Sequence, residues 1–425
     1  LRHDVEPMSV FRRVSAFSSN AWLVMATSFL AGLGLGGFRL FFNFYVLSLG
    51  YDAAFAGTLQ TVQSLAAIGA AIPAAYFADR LPGRWLLIAV IGLTAVSFAG
   101  FVVFPALWAL ILFRMFIGVT MASREVVVAT FLLANTTREE RQWVFSFNFG
   151  VMMTATFVGN TLGGFLPGML GDMVGVAADS AEAYRLAFVV LSGLTAAGII
   201  PALFLKSSEA DDVTVPELPW VILKRHGRVL WRYLMPNLTL GLGAGLMMPF
   251  MNLYFRGVYR QPDPVIGAIF AAGSISMAAA QFIGPALADR MGKIRAVVLA
   301  QSLSVPFLMI LGIGAFVVPA GLVPATVFLV PAVIAFNMRI GLMNLGNPLY
   351  QTFVLERVPA QVQAMSVSML SISFQFGWFV MPQVSGWLQV GFGDYGFVPV
   401  FALVIMFYIA AISMERRFFL KDAVQ

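Results

Sequence analysis

Apolar residues along this chain come in long blocks separated by short polar stretches. A block of about 18 or more apolar residues reads as a helix long enough to cross a bilayer. Barrel strands would be shorter and would alternate apolar with polar. The pattern predicts spans at 21–49, 54–78, 84–104, 106–134, 143–168, 186–206, 234–255, 264–288, 294–318, 323–353, 363–389 and 394–414. Two connections are longer than the rest, near 169–185 and at 207–233. The second carries Glu209, Asp211, Asp212 and Glu217, then Lys224, Arg225, Arg228 and Arg232. It divides the chain into 1–206, a linker at 207–233, and 234–425. Its Pro219–Tyr233 part is either a helix lying on the inner leaflet, basic side chains near anionic lipid, or a solvated linker.

Charge then orients the spans. Nineteen lysines and arginines fall on the side that carries both termini and the linker, and only Arg185, Arg256 and Arg260 on the other. Positively charged loops stay in the cytoplasm, so both termini are expected there, in the inner (plasma) membrane of a bacterium. The first apolar block is too long for a signal core, so no cleaved leader is expected.

Composition narrows the chemistry. The chain is 60% hydrophobic and 11% charged, with a mean hydropathy of +0.87. A soluble protein of 425 residues needs more charge to cover its surface. There is no cysteine, which removes disulfides, iron–sulfur clusters and thiol catalysis. His3 and His226 are the only histidines and lie in polar flanks, so neither a zinc site nor a histidine proton relay is expected in the membrane. The net charge of +6 reads as membrane orientation, not nucleic-acid binding. Paired carboxylates and a phosphate-binding glycine loop followed by lysine are both missing, which argues against an enzyme and against ATP hydrolysis. Met247, Met248 and Met251 read as packing residues, not a copper site. No cofactor or metal is expected, and the chain is expected to act as a monomer.

The two parts of the chain echo one another. Asn43-Phe44-Tyr45 matches Asn252-Leu253-Tyr254, Ala78-Asp79-Arg80 matches Ala288-Asp289-Arg290, and Gly159–Gly164 matches Met381–Gly386. Three matches in register point to a six-plus-six duplication.

With that repeat the sequence resembles the major facilitator superfamily over its whole length. Asp79-Arg80-Leu81-Pro82-Gly83-Arg84 is similar to the family's loop motif between helices 2 and 3, with one extra residue before the glycine. The second copy, from Asp289 and Arg290 to Arg295, fits without insertion. Arg114-Met115-Phe116-Ile117-Gly118 is similar to its helix-4 arginine motif. Gly159–Gly164 resembles the helix-5 motif of its proton antiporters, with Asn160 where proline is usual. The resemblance implies an all-α membrane fold of twelve helices in two pseudo-symmetric six-helix bundles, with helices 1, 4, 7 and 10 around a central cavity. It also implies a conformational latch of Asp79, Arg80, Arg84, Asp289 and Arg290. Asp79 would face the start of span 11 and Asp289 the start of span 5, where exposed N–H groups favour an anion. The competing reading is that the motif only anchors orientation.

Ionisable groups inside a bilayer default to functional hypotheses. Here they are Arg39, Arg114, Arg124, Arg339 and one acid, Glu125. Arg39 and Asn43 share a face of span 1, and Arg114 and Glu125 share a stripe of span 4 about 16 Å apart along the axis. Asn344 and Asn347 fall in span 10, with Arg339 on another face. Arg39, Asn43, Arg114, Asn252, Tyr254, Asn344 and Asn347 are the expected substrate-binding residues. Glu125 is the expected proton-coupling site: burial favours its neutral form and a nearby arginine its ionised form. Each has a structural alternative. Arg114 is then bonded to backbone carbonyls, Arg124 and Glu125 form a helix-packing network, and Asn43, Tyr45, Asn252 and Tyr254 pack across the two halves. Four arginines against one glutamate favour an anionic or zwitterionic small organic solute, moved by alternating access, with protons and membrane lipid as further partners. Two alternatives stay open: a drug/proton antiporter for amphipathic or cationic compounds, and a lipid exporter or flippase on the same fold.

Overall fold

The computed structural model describes residues 17–78, 80–136, 138–206, 219–358 and 363–420. The long helices are α1 (Ser19–Ser48), α2 (Ala53–Ala78), α3 (Gly83–Val103), α4 (Leu107–Ala134), α5 (Arg138–Val174) and α6 (Ala181–Ala197, continued by Ile199–Leu203). After the linker come α7 (Pro219–Met247, continued by Met251–Gly257), α8 (Asp263–Met291), α9 (Lys293–Val317), α10 (Ala325–Leu355), α11 (Gln363–Phe392) and α12 (Phe397–Glu415). Ten of these stretches are long and apolar enough to cross a membrane; α2 and α11, the other two, are helices of 26 and 30 residues.

Local chemistry sets the ends. Ser18 caps α1 by accepting from the Ala21 N–H, and Ser180 caps α6 by accepting from Ala183. Gly292, at φ 86°, makes the one-residue turn between α8 and α9, a conformation that other residues avoid. Prolines inside α2, α5 and α7–α11 are tolerated because neighbouring helices shield the freed carbonyls.

Several boundaries differ from the sequence expectation, among them the starts of α5 at Arg138 and of α6 at Ala181, each five residues early. Helix α5 runs on to Val174 and takes up part of the 169–185 stretch. Helix α7 begins at Pro219 and continues without a break to Met247, so the Pro219–Tyr233 segment, read as either a leaflet helix or a solvated linker, is the first turns of α7 itself. No helix-breaking residue separates its basic turns from its apolar ones, since Pro236 sits well inside the helix and leaves it intact.

In each half the helices pair alike. Helix α1 packs on α5, α2 on α4 and α3 on α6; α7 packs on α11, α8 on α10 and α9 on α12. Across the halves, α2 meets α11 and α5 meets α8. The seams are made of glycine. A Cβ on Gly57 would stand 2.5 Å from the Pro382 carbonyl oxygen, and one on Gly267 would stand 2.8 Å from that of Asn160. Gly164 and Gly386 make the return contacts, with Asp263 and Gly267 and with Ala53 and Ala54. The Gly159–Gly164 and Met381–Gly386 segments thus hold corresponding places.

The asparagines and tyrosines of the repeat show the same symmetry in hydrogen bonds. Asn43 Nδ2 donates to the Pro249 carbonyl at 2.6 Å and to Asn252 Oδ1 at 3.0 Å, while Asn252 Nδ2 donates to the Leu40 carbonyl at 2.7 Å. The Tyr45 hydroxyl donates to the Phe101 carbonyl at 2.6 Å and that of Tyr254 to Leu311 at 2.7 Å. All of this lies toward one face of the molecule, the far face, opposite the start of α1.

The apolar core follows the same division. Toward the far face one cluster joins both halves, from Phe38–Val46 and Phe188 to Leu246–Tyr254 and Phe397–Phe401. Toward the near face it splits in two. One cluster, around Val24, Leu87 and Leu132, belongs to the first half; the other, around Tyr233, Val297 and Phe353, belongs to the second.

Candidate functional site

Helix α1 is enclosed by its neighbours, with Phe38 and Leu40 through Val46 buried, yet Arg39 is exposed. It therefore faces an opening inside the molecule. Glu125, on α4, is also exposed, and Arg39 lies within electrostatic reach of Glu125 and of the guanidinium groups of Arg114 and Arg124. The structure thus brings the charges of Glu125, Arg114 and Arg124 within electrostatic reach of Arg39, with Arg39 and Glu125 exposed and Arg114 buried. Sequence spacing relates residues on one helix only, so the approach of Arg39 to Glu125 was not legible there.

Arg114 is set deeper, 5% exposed. Its guanidinium carbon lies 4.7 Å from the Phe38 ring and 4.2 Å from the Phe42 ring, and Nη2 donates to Gln60 Oε1 at 2.6 Å. Nε and Nη1 are buried without partners. Arg114 thereby ties α4 to α1 and α2 through side chains, where the sequence's structural alternative has backbone carbonyls. Gln60 was missed; with Gln63 it is an amide inside an apolar span, a signal of the same kind as the arginines. Gln63 Nε2 donates to Met121 Sδ at 3.2 Å and its oxygen is unpartnered.

The other expected binding residues are placed differently. Asn43 and Asn252 are buried at the junction of the halves, their amides engaged with each other and with backbone. Tyr254 is wholly buried in the second half, bonded to Leu311 and Tyr259. None of the three stands on an open wall. Asn344 bonds its own helix at Ile340, and Asn347 is exposed on α10. Arg339 is buried between helices, donating to the Tyr408 hydroxyl and to Met248 Sδ, in keeping with the face it was assigned.

Of the latch, Asp79 lies outside the described residues. Arg80 stacks on Tyr76 at 4.0 Å and donates to its hydroxyl, and Arg84 lies 5.1 Å from the Trp85 ring. Asp289 and Arg290 are exposed at the end of α8. No hydrogen bond or ion pair among the described side chains ties them to α5.

Two features were not foreseen. At the far face Asp263 pairs with Arg256, accepts from the Tyr184 hydroxyl at 2.7 Å, and so joins α8 to α6; Arg256 also covers the Phe44 ring at 3.7 Å. Asp263 stands one position before the span expected at 264–288 and was not singled out by the sequence. Toward the near face, between α5 and α8, is a cavity of about 820 Å³ lined by Phe145, Phe149, Met153, Phe157, Ser274 and Phe282 among others. Asn160 and Ser274, 3.5 Å apart, close it on the far side.

Paired helical halves, joined at one face and divided at the other around a charged opening, are the build of a membrane transporter rather than an enzyme. The chain belongs to the major facilitator superfamily, whose family model matches residues 24–382. It is an integral membrane protein. Its fold is similar to that of a mutant of the nucleoside transporter NupG, at 15% identity over 93% of this chain and 99% of that one, TM-score 0.76. A bacterial homologue of the human lysosomal transporter Spinster, inward-facing and occupied, is similar at 13% identity over 95% and 97% of the two chains, TM-score 0.77. A bacterial homologue of the iron transporter ferroportin, also inward-facing, gives 12% identity over 93% and 98%, TM-score 0.71. No curated protein matches the sequence.

Proposed function

We propose that this chain is a secondary active transporter of twelve membrane helices in two six-helix bundles. In this reading it moves a small anionic or zwitterionic organic solute by alternating access, coupled to protons through Glu125. The observation that carries the reading is the exposed Arg39 with the charges of Arg114, Arg124 and Glu125 within its electrostatic reach. Arg39 is the exposed arginine, positioned to hold an anionic group, while Arg114 is already held by Gln60 and two rings. The shared core at the far face and the divided core at the near face support a state open toward the termini, the cytoplasmic side under the charge asymmetry.

Reconstituted protein tests this with uptake of an anionic against a cationic solute panel. Anions are expected to be taken up, and Arg39→Gln to raise KM for them about ten- to a hundredfold, as loss of a charge-assisted bond requires. Uptake of cations alone, unaltered in Arg39→Gln, would overturn the reading.

The cavity between α5 and α8 favours a second reading, a lipid or amphipath exporter. Its lining is mostly apolar and includes four phenylalanines, with Phe282 84% exposed at its edge. Transbilayer movement of a labelled lysolipid in the same liposomes separates the two.

A further inference from the structure

Glu415 closes α12 immediately before Arg416 and Arg417, and by sequence alone it reads as one more solvated charge at a helix end. The structure buries it completely, at 0% exposure. Gln301, on α9 and 3% exposed, donates from Nε2 to Glu415 Oε1 at 3.1 Å. The remaining atoms of the pair do not match. Glu415 Oε2 has no hydrogen-bond partner, and neither has Gln301 Oε1. Both are acceptors when the carboxyl is ionised, so neither can satisfy the other. The pair lacks one donor.

The surroundings do not supply it. From α9, the Ser304 hydroxyl donates to the Gln301 carbonyl at 2.7 Å, and Lys293 is held by Glu356. From α10, the Tyr350 hydroxyl donates to the Tyr233 carbonyl on α7 at 2.7 Å, and Arg357 stacks on Phe353 at 3.7 Å. On the same helix, Arg416 turns outward to Ser302 at 3.2 Å and Arg417 is exposed. No lysine or arginine among the described residues forms an ion pair with Glu415. One turn on, Phe419 is boxed by Tyr233, Tyr350 and Phe353, with the Tyr233 ring stacked at 5.2 Å. The packing holds the carboxyl away from water. An ionised carboxylate here would be a buried charge without a counter-ion, the arrangement proteins avoid.

We propose that Glu415 and Gln301 form a buried proton-binding site in which the carboxyl carries its proton. The proton sits on Oε2 and makes it a donor to Gln301 Oε1. With the N–H bond already present, this closes a cyclic acid–amide pair and satisfies both orphaned oxygens at once. The proton comes from water at the near face and returns to it. A metal cation fits less well, since hard cations take six or more oxygens and this site offers two orphaned ones. The site joins α9 to α12 away from Arg39 and Glu125, so it is independent of the coupling assigned to Glu125. Its ionisation would loosen the turn that carries Phe419.

Infrared spectroscopy of the purified full chain tests this, as the difference between wild type and Glu415→Gln. At neutral pH the wild type should show the C=O band of a hydrogen-bonded carboxylic acid that Glu415→Gln lacks. The folded chain would hold a proton that the unfolded chain releases, so wild-type melting temperature should fall as pH rises, and Glu415→Gln should lose that dependence. Gln301→Leu should keep the acid band and move it to the frequency of an unbonded acid, which decides the matter even if Glu415→Gln fails to fold. A spectrum with no acid band assignable to Glu415 at neutral pH overturns the proposal. So does stabilisation by sodium in the wild type that Glu415→Gln abolishes, since the ligand would then be a metal ion.

Discussion

Glu125 stands exposed on α4 within reach of the Arg39 charge. In the proposed cycle, substrate takes Arg39 and Glu125 loses that partner. Glu125→Gln fixes the neutral form. Proton-driven accumulation in liposomes should then fall to the level of equilibration, with exchange down the substrate gradient retained. Accumulation with an unchanged pH profile would make Glu125 a structural partner of Arg39. At this scale the sequence singled out charged residues inside apolar runs and carried no information on how they approach one another. Charge inside an apolar run marked Arg39, Arg114 and Glu125. Glu415 escaped because it lies one residue past the assigned span, and only packing shows that the helix buries it.

At the scale of elements, the two seams depend on backbones that touch. Gly57 lies against Pro382 on α11, and Gly267 against Asn160 on α5. A valine at either place has no room unless the helices part, and overpacking of this kind costs about 1–3 kcal/mol. The strain falls on the state in which the far face is closed. Gly57→Val and Gly267→Val should therefore each shift the population about tenfold or more toward a far-side opening. Distances between spin labels on α2 and α11, or on α5 and α8, measured at the far ends, check this; unchanged distances in both variants would show that the seams yield. The glycines of Gly159–Gly164 stood out in the sequence as a motif. Their partners did not, because a contact between α5 and α8 is a fact of tertiary packing. Helix boundaries were legible to within a few residues wherever an apolar block ended in polar residues. They failed at Pro219, where the basic turns continue α7 in unbroken helix.

For the whole molecule the question is what holds each end shut. At the far face, Arg256, Asp263 and Tyr184 tie the halves together with charge-assisted bonds. At the near face the sequence assigns the same duty to Asp79, a residue outside those described. Asp79→Asn should weaken near-face closure by about 1 kcal/mol, the size of a charge–dipole contact. Asp263→Asn should weaken far-face closure by more, since its carboxylate is 7% exposed and paired. Cysteine cross-linking across each face reads both populations in this naturally cysteine-free chain. Opposite shifts in the two variants are expected, and shifts of the same sign would exclude latches at opposite ends.

The asparagine pair also bears on how such a chain arises. Asn43 donates to Pro249 and Asn252 to Leu40, and the two asparagines meet each other. A contact in which one patch meets its own equivalent is the isologous interface of a twofold homodimer. Under the duplication to which the repeat points, the two protomers would be tethered in one polypeptide. Before fusion a single codon set both sides of such an interface, and every substitution appeared twice. After fusion each side varies alone, which is the condition under which Arg256 and Asp263 could come to stand where the other half has Leu47 and Ala53. In that history the asparagines would keep the imprint of a dimer, and the ion pair beside them its loss of symmetry.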